Sequence, residues 1–233
     1  MREHERETVD FEVWPEAIEL GEMFAEEGYE LALVGGPVRD LLLHRRSHDL
    51  DFCTSARPEQ FEPILRRWGH DGFWDMGRKF GTLGAMRRRP DGTEVQVEIT
   101  TYRSDEYDPD SRKPEVSYGD SLEGDLSRRD FTVNAMALRV PDLEFVDPFG
   151  GANDLSKRVL RTPVDPRQSF DDDPLRMMRA VRFVAQLGFG IEPETGPARR
   201  TQAPPPRKGT PPPRRGRRGP RGGGRPAGPG EGA

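Results

Sequence analysis

The 233-residue sequence contains a single cysteine, Cys53, and no uninterrupted apolar stretch of 18 residues. One cysteine excludes an internal disulfide framework and favours a reducing compartment, and its place on a predicted strand suggests core packing. The missing apolar stretch argues against a membrane-spanning helix. The charged start, MREHERETVDFEV, has no apolar centre of the kind found in a signal peptide. We therefore expect a soluble, cytoplasmic protein without a membrane partner.

Apolar residues make up only 33% of the sequence, and the shortage is local. Residues 197–233 contain ten Pro, nine Gly and ten Lys or Arg against one Glu, with no Val, Ile, Leu, Met or aromatic residue. This composition cannot bury a core, so the tail is predicted to be disordered. Residues 1–196 carry 26 basic and 40 acidic residues, which argues against a uniformly basic surface for nucleic acid. Contact with RNA would depend on local arginine clusters.

The segment from Leu31 to Phe52, LALVGGPVRDLLLHRRSHDLDF, predicts a strand, a glycine turn, a short helix and a second strand. Gly35 and Gly36 let backbone N–H groups approach a phosphate closely, because no Cβ intervenes. The helix that follows offers its N-terminus and the Arg39 guanidinium to the same anion. A Gly-Gly pair is ordinarily only a turn. It is interpreted as a phosphate site here because two acidic residues follow it on the next predicted strand.

Three carboxylates complete this pattern. Asp49 and Asp51 lie one residue apart on a predicted strand, so they point to one face about 6–7 Å apart. Such a pair is ordinarily solvated or a helix cap, but after a glycine turn it suits a hard cation such as Mg2+. Glu98 shares a strand face with Glu94 and Gln96 and by itself would simply face solvent. Beside Asp49 and Asp51, it is a candidate metal ligand or proton acceptor.

Two later segments supply arginines. Arg128 and Arg129 precede an apolar segment. They either interact favourably with the charge of a helix end or bind a triphosphate. In DDDPLRMMRAVRF, acids open a helix in which arginine recurs every third residue over an arc of about 120°. The apolar residues of that helix are predicted to lie on the adjoining arc, against the core: Leu175, Met178, Val181 and Ala185. The alternative is an ordinary amphipathic helix with a basic solvent face.

Periodicity and turn residues predict alternating elements, typical of an α/β head followed by the start of a helical region. Helices are predicted at 14–29, 37–43, 58–68, 121–128, 151–157 and 173–187, and a helical or mixed segment at 131–137. Strands are predicted at 31–34, 49–53, 80–86, 94–102 and 143–146. The polar segment 103–119 is predicted to be a mobile loop.

The motifs resemble, in order, those of a known family: VGGPVRD with DLDF, VEITTYR, DLSRRDFTVNAMA, DPFGGANDL and DDDPLRMMRAVRF. The set, which spans about residues 16–194, is similar to that of bacterial tRNA nucleotidyltransferases, the class II CCA-adding enzymes, and their poly(A) polymerase relatives. The resemblance implies a polymerase-β-like nucleotidyltransferase head with a mixed sheet, followed by an all-helical neck. The implied boundaries are an extension at 1–13, the head at 14–148, the start of the neck at 149–196 and the tail at 197–233.

Roles follow from the resemblance by position. Asp49 and Asp51 would ligate Mg2+, and Glu98 would help activate the 3′-hydroxyl of the primer. The nucleotide would be held by Gly35, Gly36, Arg39, Arg129, Asp173, Arg176, Arg179 and Arg182. Within that set, Asp173 and Arg176 would read the base, although the family's Glu-Asp-x-x-Arg motif begins here with Asp172.

The implied activity is template-independent addition of CCA to the tRNA 3′ end from CTP and ATP, with release of pyrophosphate. The loop at 103–119 resembles that of enzymes that add the terminal A. Two alternatives stay open: an enzyme that adds only A or poly(A), and an inactive nucleotide-binding fragment whose basic tail binds RNA without specificity. The resemblance stops after Thr195, and the tail has the composition of GC-rich coding DNA translated in a wrong frame. We therefore expect a frameshift or truncation there; the sequence indicates no oligomeric state.

Overall fold

The computed structural model describes residues 13–45, 47, 49–104, 117–119 and 121–195. All of them belong to one of two units, Met1–Gln202, and the other unit, Ala203–Ala233, lies outside the described residues. The tail predicted to be disordered and residues 105–116 of the predicted mobile loop also lie outside them. The disordered tail and the loop at 105–116 therefore stay predictions, whereas residues 103–104 and 117–118 of the predicted loop form two short paired strands.

The described residues form eleven strands, seven of which make one mixed sheet. The strands are β1 (Leu31–Val34), β2 (Asp49–Thr54), β3 (Gly72–Trp74), β4 (Thr82–Arg88), β5 (Glu94–Thr101), β6 (Arg103–Ser104), β7 (Ser117–Tyr118), β8 (Ala137–Val140), β9 (Glu144–Val146), β10 (Val159–Leu160) and β11 (Gly190–Ile191). The large sheet has the order β3-β4-β5-β2-β1-β8-β9, and β6–β7 and β10–β11 form two small pairs. Only β2 and β5 run parallel within the large sheet. The predicted α/β class with a mixed sheet is confirmed.

Seven α-helices surround the strands in the described part of the chain. They are α1 (Pro15–Glu26), α2 (Gly36–Leu42), α3 (Pro58–Trp68), α4 (Leu122–Ser127), α5 (Gly151–Lys157), α6 (Pro166–Asp172) and α7 (Leu175–Leu187). Proline opens α1, α3 and α6, where its missing N–H costs no hydrogen bond. Helix α7 ends at Gly188, whose left-handed φ of 68° suits a residue without a Cβ. No described helix is long and apolar enough to cross a membrane.

The two faces of the large sheet differ in what covers them. One face carries the main core, in which strand residues such as Phe52 and Val97 pack with Phe24 of α1 and Phe61 of α3. The other face is covered only in part, by a smaller cluster that joins Cys53 to the apolar residues of α4. Cys53 is 1% exposed, and burial raises the pKa of its thiol, which confirms the predicted packing role. No apolar cluster of the described residues covers the rest of this second face, which we call the open face.

Several elements differ from the sequence-based expectation. Strands β3 and β8 and helix α6 were not predicted, because elements of three to seven residues show too little periodicity. The predicted helical or mixed segment at 131–137 contains only a 3-10 turn, Thr132–Asn134, before β8 begins. The helix expected to start at Asp173 starts at Leu175.

Helix α7 presents to solvent the arc that was predicted to be buried. Leu175 and Met178 are each 69% exposed, and Val181 is 47% exposed. Ala185 is exposed as well. The side facing the protein instead carries Phe183, which meets Phe131 edge-on with ring centroids 5.7 Å apart. The predicted core arc was wrong, because the side that carries Ala180, Phe183 and Leu187 packs against the core instead.

Candidate active site

Asp51 and Glu98 stand side by side on the open face of the sheet. The parallel pairing of β2 with β5 sets Asp51 opposite Glu98 and Asp49 opposite Gln96. Asp49, Asp51 and Glu98 are exposed, whereas the intervening Leu50 and the neighbouring Val97 point into the core. Neighbouring strands lie about 4.8 Å apart, so the two facing carboxylates are immediate neighbours.

The carboxylates repel one another. Partial burial raises the pKa of Asp51, and the charges of Glu98 and Asp49 raise it further, while Arg129 acts in the opposite direction. Asp51 is open to solvent through the cavities described below, yet the protein around it still removes part of its hydration. The negative charge at this point of the sheet is therefore only partly balanced.

The three carboxylates are oxygen donors, the kind of ligand that hard divalent cations prefer. In the part of the chain that the structure describes, no three His, Cys, Asp or Glu side chains form a group able to hold a metal ion. Asp49, Asp51 and Glu98 nevertheless offer oxygen donors whose mutual repulsion a divalent cation would relieve. Mg2+ commonly takes one or two carboxylates and completes its shell with water and phosphate oxygens. The residues fit such an ion.

The glycine turn between β1 and α2 lies beside two guanidinium groups. Gly35 has a φ of 72°, and a Cβ at this position would come within 3.0 Å of Nη1 of Arg129. A Cβ at Gly36 would lie 3.7 Å from Nη2 of Arg39. The absence of both side chains therefore leaves the backbone of the turn directly next to positive charge.

The guanidinium of Arg129 is positioned by the carboxylate of Asp125. Its Nη2 donates a hydrogen bond to Oδ2 of Asp125 over 3.0 Å. Its Nε is buried and has no hydrogen-bond partner among the described residues. A buried donor without a partner is costly, which is the situation expected of a group that completes its bonding with a ligand.

A chain of hydrogen bonds joins Arg39 to helix α7. Nη1 of Arg39 donates to Oδ1 of Asn134 (2.8 Å), and Nδ2 of Asn134 donates to Oδ1 of Asp130 (3.0 Å). Nε of Arg179 donates to Oδ2 of Asp130 over 2.8 Å. Arg39 also donates through Nε and Nη2 to Asp40, so two of its five N–H groups have no partner among the described residues and can bind a ligand. Sequence reasoning missed Asp130 and Asn134, although their spacing within RRDFTVN was the available signal.

Arg176 is tied to the joint between α6 and α7. Its Nη1 donates to Oγ and O of Ser169 over 2.7 and 3.2 Å, and its Nη2 donates to the carbonyl oxygen of Arg128 over 2.5 Å. Ser169 is completely buried. Asp173 lies 4.0 Å from Nε of Arg176 and accepts a hydrogen bond from the backbone N–H of Leu175. No sequence pattern pointed to Ser169.

Two adjoining cavities meet at Asp51 and share Arg128, Arg129 and Arg176. We call the first, of about 450 Å3, the helix-side cavity; it is also lined by Gly35, Gly36, Arg39, Asp130, Asn134, Asp173, Arg179 and Phe183. We call the second, of about 370 Å3, the sheet-side cavity; it is also lined by Val34, Phe52, Glu98, Thr100, Arg103 and Asp125. Asp49 and Arg182 line neither cavity, and Arg182 is exposed. The structure thus gathers nine of the eleven residues predicted for the site.

Comparisons with known proteins agree with this geometry. A family model for the poly A polymerase head domain matches residues 31–161. The CCA-adding enzyme of Streptococcus pneumoniae serotype 19F (strain G54) is 44% identical over 189 residues, which are 81% of this chain and 45% of that relative. The solved CCA-adding enzyme of Bacillus stearothermophilus in complex with CTP has a TM-score of 0.69 and 38% identity, over 82% of this chain and 45% of that one.

A solved tRNA nucleotidyltransferase complexed with a primer tRNA and an incoming ATP analog has a TM-score of 0.62 and 31% identity, over 78% of this chain and 49% of that one. This chain therefore spans less than half the length of the relatives it matches. The family resemblance and the polymerase-β-like nucleotidyltransferase head expected from the motifs are both confirmed. Since the family model covers more than half of the sequence, the chain belongs to the poly A polymerase head domain family.

Proposed function

We propose that this chain is the nucleotidyl-transferring part of an enzyme that adds CCA to the 3′ end of tRNA from CTP and ATP. The observation that carries the proposal is the position of Asp51 between two arginine-lined cavities, next to Glu98. Relatives of the same fold have been solved with CTP and with a primer tRNA and an ATP analog. A tRNA substrate fits the cytoplasmic location expected from the sequence.

In this proposal the incoming nucleotide occupies the helix-side cavity. Its triphosphate lies on the glycine turn, where Arg39 and Arg129 neutralise it through guanidinium forks suited to phosphate. Asp173 and Arg176 read the edge of the base, and Arg179 closes the pocket from α7. Arg182 lines neither cavity, so its role stays a prediction. The domain boundaries at 14–148 and 149–196 are part of the same proposal.

The 3′ end of the primer occupies the sheet-side cavity. Glu98 accepts a hydrogen bond from the terminal 3′-hydroxyl and orients its oxygen toward the α-phosphorus of the nucleotide. A new P–O bond forms to that oxygen as its proton passes to Glu98, and the bond to pyrophosphate breaks, while Arg129 stays with the leaving phosphates. Asp49 and Asp51 would hold a divalent cation, for which we propose Mg2+, and the ion would supply positive charge against the negative charge that develops during the transfer. The remaining contribution of the chain is positioning and charge neutralisation.

The test is incorporation of labelled CTP and ATP by the full 233-residue chain into RNA hairpins that end just before CCA. We expect C to be added before A, and Asp51→Asn to lower incorporation by about 1,000-fold or more. Glu94→Gln is the matched control, because Glu94 lies on the same strand face but outside both cavities. Undiminished incorporation by Asp51→Asn would refute the site.

The same assay separates the alternatives. Repeated addition of A without CTP would identify a poly(A)-type enzyme. No incorporation, together with RNA binding that weakens steeply with salt, would identify a non-catalytic nucleotide-binding fragment.

A further inference from the structure

An aromatic side chain, Trp74, lies in the same row of the open face as Glu98, two strands away, and has no role in the site described above. In the antiparallel pairings of β4, Gly84 lies opposite both Trp74 of β3 and Glu98 of β5. Residues directly opposite one another in a sheet share a face. Trp74, Gly84 and Glu98 therefore form one row across the open face, and Asp51 continues this row on β2.

Gly84 allows the indole of Trp74 to lie directly on the sheet. A Cβ at residue 84 would come within 2.1 Å of Cε2 and 2.2 Å of Nε1 of Trp74, so any larger residue would displace the ring. The ring thus extends from β3 across β4 toward Glu98. Trp74 is half-buried, and within the described residues it stacks on no other aromatic ring.

Positive charge accompanies this row. Nη2 of Arg103 donates to Oγ1 of Thr82 over 3.0 Å, and Thr82 is two residues from Gly84 on the same strand and face. Two residues of a strand span about 7 Å. The Arg103 guanidinium, bonded to Thr82, is therefore about that far along the strand from Gly84, over which the ring lies. Arg103 also lines the sheet-side cavity together with Glu98 and Arg128.

We propose that the indole of Trp74 is a stacking platform for an unpaired base at the 3′ end of the RNA primer. Unpaired bases stack on aromatic side chains, and arginines bind the phosphates between them. Here Trp74 supplies the aromatic ring and Arg103 supplies the guanidinium. Trp74 is two strand spacings from Glu98, about 10 Å, and its ring covers part of that distance. A nucleotide stacked there directs its sugar toward Glu98, on the side of Asp51 opposite the helix-side cavity.

The inference rests on the proposed function for the identity of the RNA, but the contact is measurable without catalysis. Trp14 and Trp68 are only 7% and 0% exposed, so they are not accessible to a base. Quenching of tryptophan fluorescence by a stacked base therefore reports on Trp74. The full chain is titrated with a short unpaired RNA that ends in ACC, without added nucleotide. We expect saturable quenching of tryptophan fluorescence, and we expect it to be absent in Trp74→Phe.

Affinity for the same RNA separates stacking from a structural role. Trp74→Ala should weaken binding about 5- to 150-fold, the range known for losing one stacked base, whereas Trp74→Phe should stay within about threefold. Phe73→Ala is the matched control, because Phe73 lies on the same strand but on the opposite face, against Arg66. Equal losses in Trp74→Ala and Phe73→Ala would overturn the proposal.

Incorporation kinetics distinguish this inference from the proposed function. If both hold, Trp74→Ala raises the KM for RNA and leaves the KM for CTP within about twofold. Quenching that requires Trp74 in a chain that incorporates nothing would refute the function and support the stacking. Active wild-type chain without quenching, or with an unchanged KM for RNA in Trp74→Ala, would refute the stacking alone.

Discussion

The sheet and helix α7 face the same cavity, yet they are held in different ways. On the sheet, Asp51 and Glu98 are set by the backbone pairing of β2 and β5, and the alternate residues Leu50 and Val97 are buried beneath them. Displacing either carboxylate would require a change of register, which would move every neighbouring side chain to the wrong face.

Helix α7 has no such framework. Its outward apolar residues, such as Met178, are exposed, and only its inner side, with Ala180 and Leu187, packs against the main core. The arginines of the helix are placed by single side-chain hydrogen bonds. A few polar contacts of this kind contribute about 1 kcal/mol each. The carboxylates are therefore placed by strand register, whereas the α7 arginines proposed to read the base are placed by contacts that single substitutions can remove.

Among substitutions that test this comparison, the largest effect is expected at Arg129, which lines both cavities. Replacing this guanidinium in Arg129→Gln should lower kcat/KM for CTP by about 100- to 1,000-fold, the usual cost of one preorganised donor. It should also change the pH profile. The pKa of Asp51 is raised by burial and by Glu98 and Asp49, and Arg129 lowers it, so its removal raises the pKa further.

The acidic limb of the pH–rate profile depends on the ionisation of Asp51. Asp51 must be deprotonated to hold a cation, so the rate falls as the pH drops through its pKa, and in Arg129→Gln this fall should begin at a higher pH. The measurement is a pH–rate profile of labelled CTP incorporation. Arg88→Gln, at an exposed pair with Glu94, should keep the wild-type profile. An acidic limb that stays in place would contradict the electrostatic link.

The next effect tests the helix side alone. Asp173→Ala should lower the preference for CTP and ATP over UTP and GTP by about tenfold, because one base-reading hydrogen bond is lost. The measurement is competition among the four labelled nucleotides. Asp172→Ala, which removes the adjacent exposed acid, should leave the preference unchanged. Unaltered selection by Asp173→Ala would remove that residue from base reading.

A smaller effect is expected at Ser169, which contacts Arg176 and does not line either cavity. Ser169→Ala removes the Oγ that accepts from Arg176 but leaves the carbonyl contacts in place, so the KM for CTP should rise about fivefold. Steady-state kinetics measure it, with kcat expected to stay within about twofold. Ser156→Ala is the control, because its hydroxyl only donates to the carbonyl of Asn153 in the same helix. Equal behaviour of the two variants would show that Ser169 does not position Arg176.

The smallest effect concerns the exposed side of α7. Met178→Gln should change the free energy of unfolding by less than about 0.5 kcal/mol, since the side chain is 69% exposed. Phe183→Ala on the inner side should cost about 2 kcal/mol, because it removes the ring that meets Phe131. Urea unfolding of both variants measures the difference. A large loss in Met178→Gln would restore the orientation predicted from the sequence.

The sequence determined the strand that carries Asp49 and Asp51, the place of Glu98 and the glycine turn, because period-two alternation and turn residues act locally. The ordered motifs were sufficient to identify the family. Only the tertiary structure decided which side of α7 is inside, because Arg176 and Arg179 bond to Arg128 and Asp130, almost fifty residues earlier in the chain. It also decided that Trp74 lies across Gly84 toward Glu98, since pairing between distant strands cannot be read from either strand alone.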